Sequence, residues 1–233
     1  DSPFHRLDAM DAASDTTAGR AYDAFMGRWS APVAQAFVIW LGVGTHARCL
    51  DVGCGTGVVS AALSELTTAE VFGVDPTAGY VVHASSSRAG FGGRIVVGDA
   101  LALPYADDAF DAVVSGLVVN LIDDPKAGVG EMARVTREEG IVGAYVWDFS
   151  EGMQMLRAFW DAAIALDPEA AELDQGRAFP LCRPDPLRRL FEGAGLAEVR
   201  VEPIEAAAST KARWSLGSPS PPTGSVPSVS ASS

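Results

Sequence analysis

The stretch that most constrains this chain is residues 48–57, Arg-Cys-Leu-Asp-Val-Gly-Cys-Gly-Thr-Gly. A short apolar run carrying one carboxylate, Asp51, ends in glycines at alternate positions: Gly53, Gly55 and Gly57. Helically spaced residues, Val58 to Leu66, follow. The order is therefore strand, tight glycine turn, helix. Glycines there let the backbone take unusual dihedrals and approach a ligand closely. A ligand held at such a point lies beyond the carboxyl end of a strand and beside a helix N-terminus.

The rest of the chain repeats the alternation. Strands are expected at 47–52, 70–74, 94–97, 110–115 and 141–146, with helices at 58–66, 77–87 and 125–136 between them. Phe110 to Ser115 is almost wholly apolar, as a parallel strand buried on both faces should be. This pattern implies an α/β fold, a doubly wound, mostly parallel sheet with helices on both faces. Further helices are expected at 152–166 and 185–194, and a late strand at 196–204. Residues 1–19 are expected to be loosely ordered, and 20–206 to form the domain. Within it, 20–42 reads as an N-terminal helical lid, marked by Tyr22, Phe25, Met26 and Trp29 at helical spacing, with packing of this segment against the core as the equal alternative. Residues 152–182 read as a helical cap inserted after the fifth strand, and 207–233 as a Ser/Pro-rich tail. From Trp214 onward that tail has eight serines, four prolines and no charge, a composition that favours disorder or draping over a surface.

Bulk properties exclude several classes. At 233 residues, 48% hydrophobic, the chain suits one globular domain, and no apolar run reaches the ~18 residues of a membrane span. No signal-peptide pattern opens it. A formal net charge of −13 argues against nucleic acid as a partner. The three cysteines, Cys49, Cys54 and Cys182, form neither a metal-ligand pattern nor an even disulfide set, so no metal and a reduced, cytoplasmic setting are expected. Oligomeric state is left open, with a homo-oligomer among the choices.

Three carboxylates close three successive strands: Asp51, Asp75 and Asp99. Asp75, followed by Pro76, lies where an acidic side chain accepts from ribose hydroxyls. Nicotinamide dinucleotides are expected at G-x-G-x-x-G, whereas here the spacing is G-x-G-x-G with an acid two residues before it. An anion there repels phosphate and attracts an ammonium. With Asp99 placed for an adenine amino group, the ligand that combines ammonium, ribose and adenine is S-adenosylmethionine.

Leu50 to Gly57, Gly73-Val74-Asp75, Gly98-Asp99-Ala100, Leu103-Pro104 through Phe110-Asp111, and Glu131 to Val135 together resemble the class I S-adenosylmethionine-dependent methyltransferases. The resemblance is to the type 11 group that includes the ubiquinone/menaquinone C-methyltransferases, and covers about Tyr22 to Ile204. It implies a Rossmann-like fold and methyl transfer to a small-molecule acceptor. It further implies that Gly53, Gly55 and Gly57 line the methionine part of the cofactor, and that Asp75 holds the ribose. Asp99 and Ala100 would meet the adenine, Ser115 would offer backbone contacts, and Tyr22 and Arg28 would touch the ligand from the lid. Two departures stand out. Relatives carry a histidine-rich segment after the fourth strand where this chain has Val118-Val119-Asn120-Leu121, and the C-terminal end does not read as the usual last strands, so the sheet is expected to be incomplete at its edge or completed differently.

No catalytic residue is assigned. Asn120, Tyr145, Trp147 and Asp148 lie where an acceptor could reach, and each also has a structural reading. Met153, Met155, Phe159 and Trp160 read either as core or as the wall for an apolar or aromatic acceptor. Two other functions stay open on the sequence: a non-catalytic regulator that binds S-adenosylmethionine, and a nicotinamide-dependent oxidoreductase.

Overall fold

A computed structural model describes residues 27–87, 94–207 and 223–232. One sheet of seven strands organises them, in the order β3-β2-β1-β4-β5-β7-β6. β1 (Arg48–Val52), β2 (Glu70–Asp75), β3 (Ile95–Val97), β4 (Phe110–Gly116) and β5 (Thr136–Tyr145) pair in parallel. β6 (Ala197–Ala207) and β7 (Thr223–Ser232) are antiparallel additions. The strand order reverses beside β1, where chain direction leads β2 one way and β4 the other. That crevice at the carboxyl ends of β1 and β4 is where open α/β sheets bind ligands.

The period-2 alternation of the strands sorts the core into two layers. Cys49, Val71, Ala112, Val114 and Tyr145 face one side, with α1 (Arg28–Leu41), α2 (Val58–Leu66) and α3 (Ala78–Ser87). Leu50, Val52, Val74, Val113, Val142 and Ala144 face the other, against α4 (Pro125–Val135) and α7 (Pro184–Gly193). β1 is buried from Cys49 onward because both its faces are covered.

The structure revises several expectations. The expected 20–42 lid divides: 20–26 lie outside the described residues, while α1 packs as a core layer through Val33, Ala34, Phe37, Val38 and Leu41. Gly143 of β5 makes this possible, since a Cβ there would lie 2.7 Å from Leu41 Cδ1 and 3.2 Å from Phe37 Cζ. α1 begins at Arg28 and keeps Pro32 inside it.

The C-terminal stretch is likewise not simply a tail, and of the two outcomes expected for the sheet the second is found, a different completion. Residues 223–232 enter the sheet between β5 and β6, pairing from Ile141↔Ser232 to Tyr145↔Ser228 on one side and from Ala197↔Ser232 to Ala207↔Thr223 on the other. Pro227 lies past the end of the β5 register and opposite Pro203.

The cap after β5 consists of α5 (Gln154–Leu166), a 3₁₀ turn Pro168–Leu173, α6 (Gln175–Ala178) and a 3₁₀ turn Pro180–Cys182. An Arg157–Asp174 ion pair joins its helices, and Asp174 Oδ1 also accepts from Gly176 N at 2.9 Å. Cys182 anchors its end in the core beside Leu187 and Phe191. Among the described residues, no helix is long and apolar enough to cross a membrane.

Candidate functional site

At the end of β1 the chain turns on Gly53, Gly55 and Gly57, with φ values of 70°, 51° and 81°. All three lie in the left-handed region that L side chains avoid, so alternate glycines are what this turn requires. Gly53 N and Cys54 N both donate to Val74 O, at 2.8 and 3.0 Å, folding the turn over the end of β2. Gly57 N donates to Cys54 O at 2.7 Å and Gly57 O starts α2 by accepting from Ala61 N. A Cβ on Gly55 would meet nothing within 4 Å, so open space lies beside the middle of the turn.

Two carboxylates flank this turn. Asp51 is 1% exposed, and its Oδ2 accepts from Ser60 N at 2.9 Å and Ser60 Oγ at 2.6 Å. Its Oδ1 is buried with no partner. Burial pushes the Asp51 acid up to about 7; the Ser60 hydrogen bonds oppose this and nearby Asp75 adds to it. A buried anionic oxygen without a donor is costly unless something charged completes it.

Asp75 is also buried, and its Oδ2 accepts from Gly55 N at 2.9 Å while Oδ1 accepts from Thr77 N at 2.8 Å. It thereby ties the glycine turn to the start of α3. Its acid lies above the usual carboxylate range because of burial, partly offset by the Thr77 and Gly55 amides. The Thr77 side chain hydrogen-bonds the Asp75 carboxylate as well. Pro76 follows in an exposed position and bends the chain toward α3.

The third acid, Asp99, is exposed at the end of β3, where its Oδ1 accepts from Leu101 N at 2.9 Å. Gly98 N donates to Asp75 O at 3.1 Å, so Ala100 and Asp99 stand one strand over from Asp75. Asp51, Asp75 and Asp99 thus fall at the carboxyl ends of three adjacent strands, in the order in which the sequence presents them. Ser115 is fully buried opposite Ala144, and its Oγ has no partner in the core. Only the backbone at that strand end is left for a ligand. Tyr22 lies outside the described residues, and of Arg28 only the backbone, opening α1, is described.

Several of the acceptor-side candidates have structural contacts. Tyr145 is buried against Phe37, with ring centroids 4.9 Å apart, and its carbonyl accepts from Leu117 N at 2.8 Å. Asp148 Oδ1 accepts from Ser150 N, Ser150 Oγ and Glu151 N, capping the turn after β5. Asn120 sits in a 3₁₀ turn, Val119–Leu121, and Trp147 packs against the core. In the cap, Trp160 is buried, whereas Met155 and Phe159 are 79% and 59% exposed.

Three residues escaped sequence reasoning. Ser60 supplies both donors to Asp51, and its signal was a serine in the first turn of the helix after a glycine turn. Val118 leans on the glycine turn: a Cβ on Gly53 would lie 2.6 Å from its methyls. Leu117, before it, holds a left-handed φ of 64° that no local sequence feature announces. Among the described residues, no group of three or more His, Cys, Asp or Glu could hold a metal ion.

Comparison with known proteins agrees with this geometry. Residues 50–144 match the family described as "Methyltransferase domain". A demethylmenaquinone methyltransferase of Roseiflexus castenholzii is 32% identical over 168 residues, covering 65% of this chain and 68% of that protein. An uncharacterised protein of Mycobacterium tuberculosis is 35% identical over 120 residues, covering 50% of this chain; the chain spans 43% of that relative's length. Among solved structures, a SAM-dependent methyltransferase of Thermotoga maritima superposes with a TM-score of 0.62 at 17% identity, covering 91% of this chain and 95% of that one. Phosphoethanolamine N-methyltransferase 2 of Haemonchus contortus, bound to S-adenosyl-L-methionine, gives 0.66 at 16% identity, covering 98% of this chain and 59% of that one.

Proposed function

Because the chain belongs to the class I S-adenosylmethionine-dependent methyltransferases, we propose that it transfers the cofactor's methyl group to an apolar or aromatic small molecule. The observation that carries this reading is Asp51 Oδ1, a buried carboxylate oxygen without a donor beside a turn of three left-handed glycines. Such an oxygen suits the ammonium of the cofactor's methionine part. In this reading Gly53, Gly55 and Gly57 admit that part closely. Asp75 and Pro76 receive the ribose, Asp99 and Ala100 the adenine, and the Ser115 backbone the remaining edge, with Tyr22 and Arg28 closing from the N-terminal side.

When bound, the sulfonium supplies both the methyl group and its leaving group, for an in-line displacement. The protein's part is to align the acceptor with the methyl and to exclude water, which in other enzymes contributes several kcal/mol. A general base is required only if the acceptor atom must lose a proton. An apolar acceptor is supported by the exposed Met155 and Phe159 on α5, close in sequence to the exit of β5. Relatives named for demethylmenaquinone point the same way. No observation favours the regulatory or the nicotinamide reading.

Calorimetry with S-adenosylhomocysteine and with NAD tests the cofactor: tight binding of the first alone is expected, and preference for NAD refutes the proposal. Incubation with methyl-labelled cofactor and a metabolite extract, followed by mass spectrometry, then identifies the acceptor. Binding without any labelled product would overturn the catalytic reading.

A further inference from the structure

The segment after β3, residues 98–109, has almost no regular structure of its own, only a bridge between Asp99 and Ala102. Backbone hydrogen bonds hold its ends, Gly98 N to Asp75 O and Ala109 N to Val135 O, and one pair of side chains on α4 holds its middle. Glu131 Oε2 accepts from Leu103 N at 2.8 Å. Arg134 grips the same residue from the other side, donating from Nη2 to Leu103 O at 3.2 Å, and from Nη1 to Tyr105 O at 2.9 Å and to Asp107 Oδ1 at 2.7 Å. The two side chains also hold each other, with Arg134 Nε to Glu131 Oε1 at 2.7 Å and Nη2 to Glu131 Oε2 at 2.8 Å.

Both backbone groups of Leu103 are thus taken by one ion pair, while the Leu103 side chain is buried in the core. Tyr105 is wedged edge-on between Phe72 and Phe110, at 6.3 and 4.9 Å. At the near end, Asp99 Oδ1 accepts from Leu101 N and Asp99 O from Ala102 N, so two short hydrogen-bonded steps join Asp99 to the gripped residue. Arg134 reaches several acceptors in a fixed planar fork, which a lysine cannot do.

We propose that Glu131 and Arg134 are positioning residues for the adenine end of the cofactor site, acting through Leu103 to hold Asp99 and Ala100 in register with Asp75. This rests on the methyl-donor reading above. A pair that only stabilised the fold would change how much protein is folded and leave ligand discrimination intact. A positioning pair sets how well the site distinguishes an adenine amino group from the oxygen that replaces it.

The experiment compares S-adenosylhomocysteine with S-inosylhomocysteine by calorimetry on the wild type, Arg134→Lys, Glu131→Gln and the double variant, with thermal melting alongside. The wild type is expected to prefer the adenosyl ligand by about tenfold, the worth of one hydrogen bond. Each single variant is expected to bring the ratio within about twofold, and the double variant to be no worse than either, because the two residues act as a unit. A wild type that discriminates, beside folded variants that keep its ratio, overturns this inference and leaves the methyl-donor reading standing. A wild type that binds both ligands equally overturns it as well. A wild type that binds neither refutes the methyl-donor reading itself, and this inference with it. Should a variant not fold, hydrogen exchange on the wild type decides. The Leu101 and Leu103 amides are expected to slow together when S-adenosylhomocysteine is added, and no change at Leu103 refutes the coupling.

Discussion

In the proposed reading, Asp51 makes cofactor affinity a function of pH, in a direction its burial dictates. Its folded-state value of about 7 lies well above the ordinary 3.8, because burial disfavours the charge. Ser60 occupies Oδ2 twice, leaving Oδ1 as the free oxygen. An ammonium partner requires the ionised form, so apparent affinity should be level above pH 7 and weaken about tenfold per unit below it, near a hundredfold by pH 5. At pH 6 binding should release close to one proton.

In the free protein the sign is opposite. A raised folded value stabilises the fold at low pH, and that stability is lost as pH rises toward 7. At about 1.4 kcal/mol per tenfold, the loss is ~4 kcal/mol at most. Calorimetry of S-adenosylhomocysteine binding in two buffers of different ionisation enthalpy, from pH 5.5 to 8.5, reads both the affinity and the proton count. Asp51→Asn should bind at least tenfold more weakly at pH 8, show a level profile, and melt higher than the wild type when free. Level wild-type affinity across that range, or an Asp51→Asn protein that binds as tightly, would refute the reasoning.

Other expectations follow from packing and pairing. Gly53→Ala must distort Val118 as well as adopt φ 70°, whereas Gly55→Ala faces open space. Denaturant titration should therefore find Gly55→Ala costing about 1–2 kcal/mol and Gly53→Ala about 1–3 kcal/mol more, and equal costs would contradict the contact. Removing residues 223–232 takes out a strand bonded on both sides, so the truncated chain should lose its cooperative melt; an unchanged melt would deny β7 its place. The Asp174 acid is held below the usual carboxylate range, first by the Arg157 hydrogen bonds. The stability it contributes is present above the unfolded value and is lost as pH falls through the lowered folded one. Asp174→Asn should flatten that acid limb in melts followed from pH 2 to 6, and an unaltered limb would count against the pair.

Much of the site was legible because its chemistry is local in sequence. Gly53, Gly55 and Gly57 are adjacent to the strand that aims them, and Asp51, Asp75 and Asp99 mark strand ends that periodicity locates. β1 and β4 read out for the same reason: both faces are buried, so their apolar runs are nearly unbroken.

What only the tertiary structure decided depends on partners far away in the chain. Residues 223–232 are serine-rich and locally resemble a disordered tail, and they become a strand because β5 and β6 each offer an open edge. Arg28–Leu41 reads equally as lid or core until Gly143 shows how closely it can sit on the sheet. Arg134 was only part of a recognisable run until the loop it grips, about thirty residues earlier, came beside it. Asp51 itself spans the divide. Its position and sign are written in the sequence, but the burial that raises its pKa, and the Ser60 contacts that leave one oxygen free, exist only once β1 is covered on both faces and α2 is in place.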